Sequence, residues 1–279
     1  MKTFKTLNET DPSNLMIFDS LNLGFRWAHQ GATNFCEDYM RTVSSLAKSY
    51  KCSKVIIAGD MGSSSYRKAI YPEYKANRKE KYENQTAEEA AKFEEFFAEM
   101  QKILQKYESD GVYPVVRFPG TEADDISAYI VSKRKKHNNI WLISSDKDWD
   151  LLIDKNVSRF SYVTRKEITV DTWSTRYDFA PDDYISIKCL TGDTGDNVMG
   201  VPGIGPKRAF DLVMEYGTAL DIVASLPISS KYKYVQELNK SADLIMLNYK
   251  LMDLVSFCEE AIGVDNCTII DDKLREYLV

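Results

Sequence analysis

Nine acidic residues stand where the chain turns out of an apolar run or into a helix: Asp19, Asp60, Glu122, Asp124, Asp125, Asp146, Asp148, Asp193 and Asp196. Carboxylates brought together repel, by roughly 4 kcal/mol for two unit charges about 4 Å apart at an effective dielectric near 20. A helix N-terminus recovers only about 0.3–1 kcal/mol for each. Such a set must be held by protons or by bound cations. With only His29 and His137, and with Cys36, Cys52, Cys189, Cys258 and Cys267 scattered and lacking a C-x-x-C pair, a His-rich site, a thiolate zinc site and a disulfide framework are all disfavoured. Oxygen donors select Mg²⁺, Mn²⁺ or Ca²⁺. Two such ions roughly 3.5–4 Å apart suit in-line displacement at phosphorus. Taken singly, Asp146-Lys147-Asp148 reads as a loop or a cap, and Glu122, Asp124 and Asp125 as first-turn charge. Four groups together, three of them ending apolar runs, weigh toward metal. Asp150, Asp182 and Asp183 read as surface or capping residues.

Two further features want an anion. From Tyr66 to Tyr82 the chain holds Arg67, Lys68, Lys75, Arg78, Lys79 and Lys81 against two acidic residues, with tyrosines interleaved, in a protein whose formal net charge is −6. A charge run is usually a solvated face, but Lys and Arg also neutralise phosphates and Tyr stacks on unpaired bases. Lys75 and Arg78 share a face if helical and could set positive charge against a phosphate in flight. Gly203-Ile204-Gly205 followed by Pro206-Lys207-Arg208 reads as a tight turn opening a helix, with Pro206 at the first helical position. There backbone amides, Lys207 and Arg208 can face a phosphate.

The elements that position these residues are an alternation of strands and helices. Leu15–Phe18, Val55–Ala58 and Ile140–Ile143 are apolar without alternation, the mark of strands buried on both faces. Each runs into an aspartate. A fourth strand is expected at Tyr113–Phe118, a helix at Phe35–Tyr50, and a helix capped by Thr121 running to Val131. This order gives an α/β fold with a mainly parallel central sheet flanked by helices, whose ligands bind beyond the carboxyl ends of the strands. Met61 to about Asp110 is a long insertion with an acidic amphipathic helix in its second half, carrying Phe93, Phe96, Phe97, Met100 and Leu104. The last third reads as helical.

The 279 residues, 44% hydrophobic and 12% aromatic, suffice for a sizeable core and argue against wholesale disorder. No apolar run approaches a membrane span, and the polar Met1–Ser13 carries no signal-peptide core. A soluble, cytoplasmic protein is expected.

Joint order and spacing then carry a resemblance along nearly the whole chain. Asp19-Ser20-Leu21-Asn22-Leu23, Gly59-Asp60, Pro72-Glu73-Tyr74-Lys75-Ala76-Asn77-Arg78, Glu122-Ala123-Asp124-Asp125, Ser145-Asp146-Lys147-Asp148-Trp149-Asp150, Gly192-Asp193-Thr194-Gly195-Asp196-Asn197 and Gly200-Val201-Pro202-Gly203-Ile204-Gly205 resemble the 5′-nuclease superfamily. That superfamily comprises flap endonucleases and 5′→3′ exonucleases of the bacteriophage type, and the nuclease domain of bacterial DNA polymerase I. The resemblance implies a PIN-like nuclease core over 1–180 with a helical arch at about 61–110, and a helical region over 181–279 with a helix–three-turn–helix DNA-binding motif. It implies two or more Mg²⁺ ions, with Mn²⁺ able to substitute, held by the nine carboxylates, and K⁺ at the helix–three-turn–helix motif. Asp146, Asp148, Lys75 and Arg78 would be catalytic. Arg67, Tyr74, Lys75, Arg78, Lys79, Lys81, Gly203, Gly205, Lys207 and Arg208 would bind DNA, with Tyr74 stacking on it. The implied activity is cleavage of 5′ flaps and 5′→3′ degradation of DNA at 5′ ends and single-strand/double-strand junctions, in replication or repair. A monomer is expected, in the host cytoplasm if phage-encoded. The sequence departs from the family at Ser20, where Gly is frequent, and at Met61, where a basic residue occurs. The competing readings are a non-catalytic DNA-binding module, a single-strand ribonuclease of the related metal-dependent class, and a small-molecule phosphatase that leaves the basic segment unexplained.

Overall fold

The structure, a computed structural model, describes residues 11–133 and 139–278. Most of Met1–Ser13, and His137, lie outside the described residues. In chain order the elements are β1 (Asp11–Asp19), α1 (Ser20–Ala28), α2 (Cys36–Ser49), β2 (Cys52–Ala58), α3 (Ser65–Ile70), α4 (Ala76–Glu83), α5 (Ala87–Asp110) and β3 (Val115–Val116). There follow α6 (Ala123–Ser132), β4 (Ile140–Ile143), β5 (Val157–Ser161), β6 (Lys166–Ile168), α7 (Tyr184–Thr191), β7 (Gly192–Asp193) and β8 (Val198–Met199). The remainder is helical: α8 (Pro206–Tyr216), α9 (Ala219–Ala224), α10 (Lys233–Leu238), α11 (Ala242–Met252), α12 (Leu254–Ile262), α13 (Val264–Lys273) and α14 (Arg275–Leu278).

The chain divides into two compact units, one drawn from Met1–Ser64, Asn84–Trp173 and Leu254–Val279, the other from Ser65–Glu83 and Ser174–Asp253. By packing, the two units interleave along the chain. The insertion expected as one arch is split, with α3 and α4 in the second unit and α5 in the first. The helices α12–α14, read with the C-terminal helical region, belong to the first unit, because Leu254, Cys258, Ile262, Cys267 and Ile270 are buried against α6 and the sheet.

In the first unit the sheet runs β3-β2-β1-β4-β5-β6. All its pairings are parallel except β5 with β6. The missing alternation in the apolar runs has a direct cause. Met16, Phe18, Val55, Ile57, Trp141 and Ile143 fill the layer under α1, α2 and α5. Leu15, Ile17, Ile56, Ala58, Ile140 and Leu142 fill the opposite layer. Each such side chain is worth about 1.5–3 kcal/mol when buried. The fourth strand is shorter than expected, two residues rather than six. The cap of α6 is Glu122 rather than Thr121. The α2 N-terminus has no local side-chain cap; Glu99 of α5, itself buried, accepts from the Phe35 and Cys36 amides at 3.1 and 2.9 Å. All five cysteines are buried and free of disulfides.

In the second unit, Leu190, Ala209, Leu212, Val213, Ile222 and Ile245 form the core among α7, α8, α9 and α11. Between α7 and α8 the chain makes a small antiparallel hairpin, β7 with β8, and then a turn. A Cβ at Gly200 would run into the Thr191 carbonyl, and Gly192 has φ +69°, so backbone crosses backbone there with no room for a side chain. Asn248 locks the crossing by donating to the carbonyls of Cys189 (2.9 Å) and Met199 (2.7 Å).

Asp150, expected at the surface, is 1% exposed. It receives the Arg159 guanidinium at two points, 2.6 and 2.9 Å, while the same guanidinium holds the Ser144 carbonyl at 2.8 Å. The pair braces the loop after β4. Removing one partner strands a buried charge, so Asp150→Ala should lower stability by about 3–5 kcal/mol in urea unfolding. A change under about 1 kcal/mol would show the pair to be solvated, since exposed pairs are worth that little.

Candidate active site

The parallel register sets the chemistry of the first unit. Phe18 pairs with Ile57 and with Ile143, so Asp19, Asp60 and Asp146 leave the sheet at one carboxyl edge. Asp19 caps α1, accepting from the Asn22 amide at 3.0 Å and from the Ser144 hydroxyl at 2.8 Å. Ser144 passes the link on by accepting from the Asp146 amide at 3.1 Å, and Asp146 accepts from the Asp148 amide at 2.9 Å. Asn22 also accepts from the Ser145 amide at 2.7 Å. Asp60 takes the Ala123 amide at the start of α6, 3.0 Å. Glu122, buried, accepts from the Ser64 amide at 3.3 Å. Asp124 accepts from the Trp149 indole at 2.5 Å.

Burial, first, and the nearby Asp60 push the Asp19 carboxyl up to about 8; Asp146 adds to this, against the hydrogen bonds from Asn22 and Ser144. That is the signature of a buried carboxyl beside like charge. A groove of about 280 Å³ beside Asp60 is lined by Leu21, Phe97, Met100 and Leu104 together with Gln101 and Arg117. Among the described residues no three His, Cys, Asp or Glu side chains are gathered tightly enough to ligate one ion. The donor set is therefore open. An all-oxygen set completed by water and phosphate is what Mg²⁺ takes, and a divalent ion would relieve the repulsion, so these residues fit such an ion. Asp125 stands apart: it is fully buried, and after burial it is the next cause of the Cys258 thiol being pushed up to about 12.

The second unit treats its acids differently. Asp193 accepts from Lys188 at 3.0 Å and from the Gly195 amide at 2.9 Å. Burial works to raise its carboxyl, but Lys188 and the Gly195 and Asp196 amides outweigh it and hold it below the usual range. Asp196 receives Arg78 at 2.6 Å, the Tyr74 hydroxyl at 3.0 Å and the Lys75 ammonium at 3.7 Å. Lys75 is not helical; its φ of 57° brings it to the same carboxylate as Arg78 by a turn. Two residues read as DNA-facing are buried. Arg67 is 3% exposed and donates to the Leu251 carbonyl at 2.7 Å. Tyr74, 3% exposed, has the Arg67 and Lys75 cations 5.8 and 4.9 Å from its ring centre, so it packs rather than offering a face to stack on. Lys79, Lys81, Gly203, Gly205, Lys207 and Arg208 are exposed. Gly203 has φ +79°, and Arg208 binds its carbonyl at 2.5 Å while lying over Tyr234, which fixes the turn.

Sequence reasoning missed the amide and hydroxyl donors that hold the acids. Asn22, three residues after Asp19, carried the spacing of a helix cap and could have been found. Ser64 and Trp149 gave no comparable signal.

A parallel sheet with an acidic carboxyl edge, and a helical unit with a glycine-rich turn, match two family models. One is the 5′-3′ exonuclease N-terminal resolvase-like domain over residues 14–178, the other the 5′-3′ exonuclease C-terminal SAM fold over residues 179–273. The chain belongs to the 5′-3′ exonuclease family. It is 41% identical over 268 residues to the flap endonuclease of Escherichia phage T5, covering 95% of this chain and 91% of that protein. A bacteriophage T5 flap endonuclease in a pseudo-enzyme–product complex with DNA and metal ions superposes with a TM-score of 0.90 at 40% identity, over 95% of this chain and 99% of that one. A T5 5′-exonuclease with zinc ions bound gives the same score and identity, over 95% and 100%.

The Asp19 environment makes a prediction for protein kept in chelator. Its fold holds a proton far more tightly than the unfolded chain, whose aspartate titrates near 3.8. The associated stability is full below about pH 4 and is lost as pH rises through about 8. Urea midpoints should fall across that window, and Asp19→Asn should flatten the fall. Parallel curves for the two proteins would remove Asp19 as its source.

Proposed function

We propose that this protein is a divalent-metal-dependent, structure-specific nuclease that cuts 5′ flaps and degrades DNA 5′→3′, in replication or repair. The observation that carries the reading is the crowded, cation-demanding edge at Asp19, Asp60 and Asp146, in a chain so similar to flap endonucleases. Mg²⁺ is the proposed ion, two or more per molecule, with Mn²⁺ able to replace it. Asp19, Asp60, Glu122, Asp124, Asp146 and Asp148 are the proposed ligands of the first unit. Asp125 is kept with them by motif. Asp193 and Asp196, in the second unit, are kept as proposed ligands by motif.

When bound, the ions supply Lewis acidity at phosphorus and a nucleophile at neutral pH. The chain's own groups do the rest. The amides of Asn22, Ala123 and Asp148 keep the carboxylates aimed. Lys75 and Arg78 meet the negative charge that grows on the phosphodiester. Water adds to phosphorus and the 3′ oxygen leaves, giving a 5′-phosphate and a 3′-hydroxyl. Lys79, Lys81, Lys207 and Arg208, with the amides at Gly203 and Gly205, take backbone phosphates without reading sequence. The turn at Gly203–Gly205 is the proposed seat of K⁺. We propose a monomer acting in the cytoplasm, that of the host if the protein is phage-encoded.

The test is a 5′-flap duplex labelled at either end, incubated with Mg²⁺ or with EDTA. Release of a short 5′ fragment only with Mg²⁺ is expected. Asp146→Asn should cut turnover by more than about a hundredfold with DNA binding largely kept. Lys75→Ala should depress turnover more than binding. Intact DNA in both Mg²⁺ and Mn²⁺, with binding retained, would leave a DNA-binding module instead.

A further inference from the structure

Segment 73–78 and the β7–β8 hairpin of the second unit are joined by a set of bonds that neither charge nor apolar packing explains. The Asn197 amide donates to the Glu73 carbonyl at 2.8 Å. Asn77, from the other side, donates to the carbonyls of Thr194 at 2.9 Å and Gly195 at 3.4 Å. Between them the Lys75 amide donates to the Asp196 carbonyl at 2.9 Å. The arrangement is reciprocal: each segment offers an asparagine amide and receives the other's on its backbone. Lys75 and Asn197 also both take left-handed backbone, φ 57° and 59°. Asparagine tolerates that region and lysine rarely enters it. The lysine is held there by the bonds around it.

The two cations at this crossing are Lys75 and Arg78. Asn77 lies between them in sequence, and Asn197 follows the Asp196 they both reach. Partly exposed ion pairs fix little geometry. Hydrogen bonds to named carbonyls fix a register, because a shift of one residue loses them all.

We propose that Asn77 and Asn197 form an amide clamp that sets segment 73–78 on the hairpin and so aims the Lys75 and Arg78 side chains. They are positioning residues and touch no substrate. This rests on the reading of Lys75 and Arg78 as the groups that meet the phosphate. The clamp is also specific in chemistry: it needs a neutral donor at both positions, so a carboxylate at either would face carbonyl oxygens and open it.

Two substitutions remove the donors without straining the fold. Asn77→Ala puts the best helix former in α4, and Asn197→Gly takes a positive φ without penalty. Hydrogen exchange in the metal-free, DNA-free protein reads the clamp directly. Both variants should speed exchange of the Lys75 amide, while the α8 core amides stay as protected as in the parent. On the 5′-flap duplex each should lower kcat about tenfold, the scale of a small misplacement of a catalytic group, with KM little changed. In a Lys75→Ala/Arg78→Ala background the same substitutions should cause no further loss. A Lys75 amide exchanging as in the parent would overturn the clamp. So would equal fold-losses in both backgrounds, which would make the asparagines merely structural. If the parent protein cleaves nothing in Mg²⁺ or Mn²⁺, the nuclease reading fails, and the exchange experiment still decides whether the clamp exists.

Discussion

Crowded negative charge at the carboxyl edge of the sheet is the constraint on which the first unit depends. Apolar strands deliver Asp19, Asp60 and Asp146 to one place, and among the described residues burial and like charge, not a cation, act on Asp19 there. The chain contains the cost with partial charges instead. Backbone amides of Asn22, Ala123, Ser64 and Asp148 each donate to a carboxylate, and the Ser144 hydroxyl donates to the Asp19 carboxylate while accepting from the Asp146 backbone amide. Such donors hold an acid in place without cancelling its charge. A lysine would have cancelled it and removed the reason for a metal to bind.

The second unit solves the same problem in the opposite way. Asp193 has Lys188, and Asp196 has Lys75, Arg78 and Tyr74. The direction of the carboxyl shifts follows: up for Asp19, where burial and like charge act together, and down for Asp193, where a cation outweighs burial. One unit is poised to gain a cation. The other already owns its cations.

The sheet was legible because its strands are buried on both faces, and a run such as Leu15–Phe18, four apolar residues stopped by an acid, is too short for a buried helix. The acids at its edge were legible for the same reason, as polar residues placed where apolar ones stop. What escaped the sequence was settled by partners far along the chain. Asp150 reads as one more surface aspartate until Arg159, nine residues on in a buried strand, is seen to need it. Glu99 caps a helix that begins 63 residues earlier. The insertion at 61–110 has one amphipathic helix and one basic stretch, and periodicity alone could not show that they join different compact units.

The basic stretch carries a further lesson about charge counting. Its six cations do different work. Arg67 is spent inside the fold, on the Leu251 carbonyl and beside Tyr74, and moving it to a phosphate would leave that carbonyl without its donor. Lys75 and Arg78 are held on Asp196, ordered but partly accessible. Lys79 and Lys81 are exposed, Lys79 with only a surface pair to Glu83 at 3.7 Å. A phosphate gains less by ordering an exposed, hydrated lysine than by meeting a cation whose geometry is already fixed, because the entropy of ordering was lost on folding. The segment's usefulness to a nuclease therefore lies less in its surplus of positive charge than in the hairpin that holds two of those charges still.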